Sequence, residues 1–178
     1  MPAAPQVMLL DSVSKRYSAC GARLGIVASH NKDLMAAVRA YATVRLSAPA
    51  LDQVAIAACL ATPPEYFEHV RAEYRLRRDI VVDALSKLPE VVCPRPGGAF
   101  YCMVKLKGID TEDFARWLLT DFNLDGETVL IAPGAGFYGT PGLGADEIRI
   151  AYVWQADVMR RAMAVLTRAI ETYRSRRG

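Results

Sequence analysis

The stretch that decides the fold is Asp11-Ser-Val-Ser-Lys-Arg-Tyr-Ser-Ala-Cys-Gly-Ala-Arg-Leu-Gly25. The apolar run Gln6-Val-Met-Leu-Leu10 precedes it, and Leu24-Gly-Ile-Val-Ala-Ser29 follows it. Short apolar runs of this kind predict buried strands. We therefore expect Lys15 on an irregular loop between two strands, on the sort of rigid scaffold that carries catalytic loops.

The residues around Lys15 suit an amine nucleophile beside a phosphate. A lysine that loses solvation is more readily deprotonated, so its amine becomes a usable nucleophile. Ser12, Ser14 and Arg23 add two hydroxyls and a guanidinium, which are suitable donors for a phosphate dianion. A Schiff-base lysine beside a phosphate cradle is what pyridoxal phosphate requires. The alternative is a solvated loop lysine with serines that cap the local backbone.

Arg149 is the second informative residue, because it interrupts the apolar run Glu147-Ile-Arg-Ile-Ala-Tyr-Val153. Strand alternation places Ile148 and Ile150 on one face and Arg149 on the other. A buried guanidinium without a partner costs several kcal/mol, so an anion should lie nearby. That anion could be a substrate carboxylate or an internal Asp or Glu, and spacing alone leaves both open. The glycine-rich stretch 133–144 before this strand predicts an irregular loop.

The lysine stretch resembles the class I/II aminotransferases of fold type I. Ser12-Val-Ser-Lys15 followed by Gly21-Ala-Arg23 is similar to that family's Ser-x-Ser-Lys and Gly-x-Arg signature. The resemblance implies that Lys15 carries pyridoxal 5′-phosphate as a Schiff base. It also implies that Ser12, Ser14 and Arg23 bind the cofactor phosphate.

Three later stretches carry the same resemblance. Ala132-Pro-Gly-Ala-Gly-Phe137 through Glu147-Ile-Arg-Ile150 is similar to the family's C-terminal region, which implies that Arg149 binds the substrate α-carboxylate. Pro96-Gly-Gly-Ala-Phe-Tyr101 resembles a strand start that lines the mouth of the active site. The stretch 126–138 is most similar to bacterial aspartate aminotransferases, so aspartate is the expected amino acid.

The resemblance covers about residues 7–173, which is only the C-terminal half of the usual family length. In the family, the large domain also supplies an aspartate for the pyridine nitrogen, upstream of the lysine. Only 14 residues precede Lys15, and Asp11 is the sole carboxylate among them. Asp11 lies too close along the strand to be that aspartate. The expectation is the C-terminal portion of an aminotransferase, inactive by itself.

The expected architecture is the C-terminal part of a fold-type-I α/β transferase. Residues 1–45 would be the remnant of the large cofactor-binding domain, residues 46–64 a connecting helix region, and residues 65–178 a small α+β domain. The pattern predicts helices at about 33–42, 51–60, 65–88, 111–122 and 155–174, and further strands at 91–93, 99–106, 128–132 and 147–153. The expected cap of the first helix is Asn31 or the pair Ser29 and His30, and that of the fourth is Asp110 or Thr111.

Composition limits the class of protein. The chain has 178 residues, of which 52% are hydrophobic, so a substantial core is expected. The formal charge of +3 is too small and dispersed to indicate nucleic-acid binding. No apolar run approaches the ~20 residues of a membrane span, and the start of the chain lacks the features of a signal peptide. The four scattered cysteines favour reduced, mostly buried thiols without a metal site.

Composition predicts a cytoplasmic protein with no nucleic-acid or membrane partner, and the resemblance implies a homodimer that acts on an amino acid and a 2-oxo acid. Two alternatives stay open. A pyridoxal-phosphate lyase, or a transaminase for another amino acid, would keep every residue named above. From a different class, the chain could be a non-catalytic remnant that serves as an interaction module.

Overall fold

The computed structural model describes residues 4–176, and the chain divides into two compact units, Met1–Tyr66 and Phe67–Gly178. Short 3-10 turns lie at Cys20–Ala22, Cys59–Ala61 and Ala135–Phe137. The helices and strands, in chain order, are β1 (Met8–Ser12), α1 (Val13–Arg16), β2 (Gly25–Ser29), α2 (Lys32–Arg45), α3 (Ala50–Ala58), α4 (Pro64–Leu85), β3 (Val91–Val92), β4 (Tyr101–Leu106), α5 (Thr111–Thr120), β5 (Ala132–Pro133), β6 (Glu147–Ala151) and α6 (Ala156–Ser175).

The first unit holds a two-stranded antiparallel sheet. β1 pairs with β2 so that Met8 lies opposite Ser29. Both strands lie within two residues of their predicted positions. The prediction that they are buried is wrong for this chain, because Leu10 is 66% exposed and Ile26 is 56% exposed. Two strands cannot enclose a core by themselves, so their apolar side chains remain at the surface.

Helix α2 begins where the sequence predicts a cap. The Asn31 side chain accepts a hydrogen bond of 3.0 Å from the Leu34 backbone N–H, which satisfies one of the free donors of the first turn. Helix α3 follows Pro49. No residue of α2 or α3 is fully buried, so these helices contribute little to a core within the first unit.

The second unit is built on a four-stranded antiparallel sheet in the order β3-β4-β6-β5. Arg149 of β6 lies opposite Met103 of β4 on one side and Ala132 of β5 on the other. Alternation along β6 is as predicted, because Ile148 and Ile150 are buried while Arg149 is only partly covered.

The predicted strand at 128–132 is largely wrong, because only Ala132 and Pro133 pair in the sheet. The Thr128 hydroxyl instead donates a hydrogen bond of 2.7 Å to the Leu118 carbonyl oxygen at the end of α5. Leu130 is 82% exposed. A run with strong strand propensity is therefore held against a helix end instead of entering the ladder.

The core of the second unit lies between the sheet and helices α4, α5 and α6. Phe114, Trp117 and Tyr173 form an aromatic cluster in which the Phe114 and Tyr173 ring centroids are 5.0 Å apart. Of the two expected caps, Asp110 is the residue that caps α5, by accepting hydrogen bonds from the backbone N–H groups of Glu112 and Asp113. These contacts make the second unit a packed α+β layer structure.

None of the helices within residues 4–176 is long and apolar enough to cross a membrane. All four cysteines are free thiols, and only Cys102 is buried, so the prediction of mostly buried thiols is wrong.

Candidate active site

Lys15 lies in the one-turn helix α1, directly after β1, and not on an irregular loop as predicted. The turn forms because Ser12 is extended, and its side chain caps the Ser14 backbone N–H at 3.1 Å. Val13 is buried at the start of the turn and anchors it. The Lys15 side chain is exposed in this chain, so the desolvation expected from the sequence is not provided by the described residues.

The two predicted phosphate-binding serines are adjacent. Their hydroxyl oxygens are 2.9 Å apart, and the Ser12 hydroxyl also lies 3.2 Å from the Leu24 carbonyl oxygen. The capping role that the alternative interpretation gave to the serines is therefore real for Ser12. The two serines can bind an anion as well as cap the turn, since two hydroxyls at the start of one turn can donate hydrogen bonds to a single anion.

Arg23 occupies a left-handed backbone conformation, with φ of 52°, at the end of the 3-10 turn Cys20–Ala22. This region of φ is uncommon for a residue with a side chain. Its Nη1 donates a hydrogen bond of 2.9 Å to the Cys20 carbonyl oxygen, which ties the guanidinium to its own turn.

An open depression of about 500 Å³ on the first unit is lined by Leu10, Asp11, Ser12, Lys15 and Arg16. The structure thus places Ser12 and Lys15 in one depression, while Ser14 and Arg23 are not among its lining residues. Arg16 was not among the predicted site residues. It pairs with Asp11 at 2.6 Å, and both side chains are at least one-third exposed, so the pair contributes little to stability.

Arg149 belongs to the second unit and is flanked by two aromatic rings. Its guanidinium carbon lies 4.3 Å from the Phe137 ring centroid and 5.5 Å from the Tyr101 ring centroid, both within cation–π range. No Asp or Glu within residues 4–176 forms an ion pair with it. The internal salt bridge that the sequence left open is therefore not found in the described part of the chain.

The glycine-rich loop positions Phe137 through close backbone packing. The Gly134 backbone N–H donates a hydrogen bond of 2.6 Å to the Glu147 carbonyl oxygen. The Tyr138 hydroxyl donates to the Glu147 carboxylate, and this hydrogen bond, together with burial and nearby negative charge, raises the pKa of Tyr138. Sequence reasoning did not identify Phe137 as a neighbour of Arg149, because a glycine-rich loop has no periodicity from which contacts can be read.

No group of three or more His, Cys, Asp or Glu side chains within residues 4–176 is placed to hold a metal ion. The residues around Lys15 could instead bind an anionic organic molecule that carries an aldehyde. Lys15 supplies an amine, and Ser12 and Ser14 supply hydroxyl donors within one turn of it.

Comparison with known proteins supplies the context for this geometry. The family model described as aminotransferase class I and II matches residues 1–166. A putative aminotransferase, YugH, from Bacillus subtilis is 32% identical over 92% of this chain and 40% of its own length. An aspartate aminotransferase from Geobacillus stearothermophilus is 30% identical over 93% of this chain and 42% of its own length.

The fold is also similar to that of solved structures. The structure of LysN, an α-aminoadipate aminotransferase from Thermus thermophilus complexed with N-(5′-phosphopyridoxyl)-L-leucine, superposes with a TM-score of 0.81 and 28% identity. That match covers 94% of this chain and 42% of the LysN chain. This chain therefore spans about 40% of the length of the relatives it matches.

Proposed function

This chain belongs to the class I and II aminotransferase family, and from that premise we propose a function for the full-length protein. The full-length protein means a protein that carries this sequence and has the full length of its relatives. That protein transfers an amino group between an amino acid and a 2-oxo acid. The family match confirms two predictions: a partial fold-type-I α/β fold, and pyridoxal 5′-phosphate as the cofactor.

The observation that carries the proposal is the single turn that presents Ser12, Ser14 and Lys15 together. The residues fit the cofactor, because an amine for its aldehyde stands beside hydroxyl donors for its phosphate. When bound, the cofactor supplies the electron sink that stabilises negative charge at the substrate Cα. Lys15 Nζ would hold the cofactor, and the same amine would take and return the proton at that Cα. Arg23 is proposed to contribute to the phosphate charge balance.

Arg149 is proposed to bind the substrate α-carboxylate. Support comes from its position in β6 without a carboxylate partner in the described residues, and from the rings of Phe137 and Tyr101 beside it. A guanidinium can bind a carboxylate through two parallel hydrogen bonds, which would fix the orientation of the substrate Cα–H bond.

The finer parts of the proposal concern substrate, domains and assembly. Aspartate is the proposed amino acid, supported by the several aspartate aminotransferases among the relatives. Residues 1–45 are proposed to complete a large cofactor-binding domain, residues 46–64 to connect it, and residues 65–178 to form the small domain. The full-length protein is proposed to be a cytoplasmic homodimer.

Borohydride reduction tests the role of Lys15. The full-length protein is mixed with pyridoxal phosphate, reduced and digested, and the pyridoxyl label is located by peptide mass mapping. We expect the label on Lys15, its loss in Lys15→Ala, and its retention in the matched control Lys32→Ala. A label on any other lysine would contradict the assignment.

A donor screen tests the reaction and the substrate. Each common amino acid is assayed with 2-oxoglutarate, and aspartate should give the highest kcat/KM. A different best donor would replace aspartate while leaving transamination intact. Elimination products in place of a new amino acid would favour a lyase, and labelling of Lys15 without any turnover would favour the non-catalytic alternative.

A further inference from the structure

Cys93, which directly follows β3, lies near Cys102 of β4 in the second unit. β3 runs antiparallel to β4 with Val91 opposite Leu106. Continuing that register by two residues puts Cys93 opposite Val104, so Cys93 and Cys102 are diagonal neighbours on one face of the sheet. This face points into the core: Cys102 is 4% exposed, and Cys93 packs against the same core while remaining partly accessible.

The two thiols interact directly and unequally. The hydrogen bond from the Cys102 thiol lowers the pKa of Cys93 against the opposing effect of burial, and the charge of Arg95 lowers it further. The same hydrogen bond, together with burial, raises the pKa of Cys102. Cys93 is therefore the more acidic and more accessible of the two thiols, and Cys102 is the less acidic, buried one.

Arg95 is fixed in place beside Cys93. It pairs with Asp79 and also with Asp83, the latter at 2.8 Å, both on α4. The segment between the two cysteines is anchored independently, because Arg78 Nη1 donates a hydrogen bond of 3.1 Å to the Pro96 carbonyl oxygen. The segment that follows Cys93 is thus held against α4 by contacts that do not involve the cysteines themselves.

We propose that Cys93 and Cys102 form an oxidisable pair that closes to a disulfide when the protein meets a peroxide. The Cys93 thiolate attacks one peroxide oxygen, the O–O bond breaks, and a sulfenic acid forms as hydroxide leaves. The Cys102 sulfur then attacks the Cys93 sulfur, the S–O bond breaks, and water leaves while the S–S bond forms. The Cys102 proton leaves in that water, and the proton that Cys93 released on forming the thiolate neutralises the hydroxide of the first step. In total, two thiols are oxidised by two electrons and one hydrogen peroxide is reduced to two waters.

Formation of the disulfide would affect β4, which carries the Tyr101 ring beside Arg149. Cys102 follows Tyr101 directly in β4, and the Tyr101 ring lies 5.5 Å from the Arg149 guanidinium carbon. The disulfide would fix the start of β4 to the segment after β3. The oxidisable pair itself does not depend on the proposed function.

The sequence offers a direct test by mass mapping. Trypsin does not cleave the Arg95–Pro96 bond, so both cysteines lie in one tryptic peptide, Leu88–Lys105. The full 178-residue chain is treated with hydrogen peroxide, alkylated under denaturing conditions and digested without reductant. We expect this peptide to be two hydrogens lighter and unalkylated, with Cys20 still alkylated. Cleavage after Phe100 or Tyr101 should then give two pieces that separate only on reduction.

Two variants assign the roles of the thiols. In Cys102→Ala, Cys93 should stop at the sulfenic acid and be trapped by dimedone, whereas Cys20→Ser should close the disulfide as the unmodified chain does. In Arg95→Gln, closure should be severalfold slower. The proposal is overturned if Cys93 and Cys102 both remain alkylatable after Cys20 has been oxidised, or if either one pairs with Cys20 or Cys59 instead.

Discussion

The guanidinium of Arg149 lies 4.3 Å from the centre of the Phe137 ring, which the glycine-rich loop brings to the edge of the sheet. An aromatic ring attracts a guanidinium through its face and leaves the N–H donors at the guanidinium edge free for other partners. The contact therefore restrains the side chain without occupying its hydrogen-bonding capacity. An arginine restrained in this way loses less conformational freedom when it binds a carboxylate.

Replacing Arg149 by Lys in the full-length protein should weaken the binding of both the amino acid and the oxo acid. Lysine keeps the charge but loses the planar fork and the ring contact. Losing a close charged partner costs roughly 2–5 kcal/mol, so affinity should fall by well over tenfold while cofactor binding is unchanged. Substrate KM and cofactor Kd are measured for the variant and for the control Arg161→Lys, an exposed arginine of α6 that pairs with Glu127.

An unchanged KM for Arg149→Lys together with a lower Tm would assign a structural role to Arg149 instead. The control distinguishes this outcome from a general effect of the arginine-to-lysine change.

The glycine-rich loop should tolerate a side chain at one position and not at two others. A Cβ at Gly134 would lie 2.7 Å from the Glu147 carbonyl oxygen. At Gly144, where φ is +76°, a Cβ would lie 2.5 Å from the Tyr138 ring. Overpacking costs typically about 1–3 kcal/mol, so alanine at either site should lower the free energy of unfolding by that amount.

The matched control is Gly139→Ala, because a Cβ there meets nothing within 4 Å. This variant should stay within about 0.5 kcal/mol of the unmodified protein in urea unfolding. Equal destabilisation of all three variants would mean that the loop is sensitive to alanine for reasons other than packing.

The sequence correctly predicted features that depend on contacts between residues close together along the chain. Asp110 caps α5 as its sequence position indicates, and alternation correctly placed Arg149 on the face opposite Ile148. Thr128 was misassigned to a strand because propensity does not show that its hydroxyl binds the Leu118 carbonyl oxygen. Burial of β1 could not be predicted either, since it depends on neighbouring strands and not on the apolar run itself.

The candidate site shows the same difference between contacts that are local in sequence and contacts that are not. The turn that holds Lys15 is set by neighbours in sequence, so the closeness of Ser12 to that turn could be predicted from their spacing. Phe137 approaches Arg149 through a loop without periodicity, and only the folded backbone shows the contact.

Two substitutions at Ser12 should separate capping from phosphate binding. Asn and Asp cap a helix about as well as Ser, so Ser12→Asn and Ser12→Asp should both keep the turn. Asp also adds a negative charge where the phosphate is proposed to bind. In the full-length protein, Ser12→Asp should lower the affinity for pyridoxal phosphate by at least about tenfold relative to Ser12→Asn. Equal affinities, measured by absorbance titration, would restrict Ser12 to capping.

The isolated 178-residue chain should self-associate through the sheet of its first unit. Leu9 is 57% exposed and Leu10 is 66% exposed on a two-stranded sheet whose outer edges have no pairing strand among residues 4–176. Apolar open edges favour pairing between chains. Light scattering should show species larger than the monomer, and Leu10→Lys should reduce them. The control Leu119→Lys changes an exposed leucine of α5 and should not.

The isolated chain should not transaminate, even when pyridoxal phosphate is in excess. Lys15 can still form an imine, and the hydroxyls of Ser12 and Ser14 can still attract the phosphate. Stabilising negative charge at the substrate Cα also requires a carboxylate that keeps the pyridine nitrogen protonated. Asp11 is the only carboxylate lining the depression beside Lys15, and it pairs with Arg16 at 2.6 Å. Amino transfer from aspartate to 2-oxoglutarate is followed beside the full-length protein and beside free pyridoxal phosphate. The isolated chain should match the free cofactor; turnover near the full-length rate would show that this chain supplies a complete site.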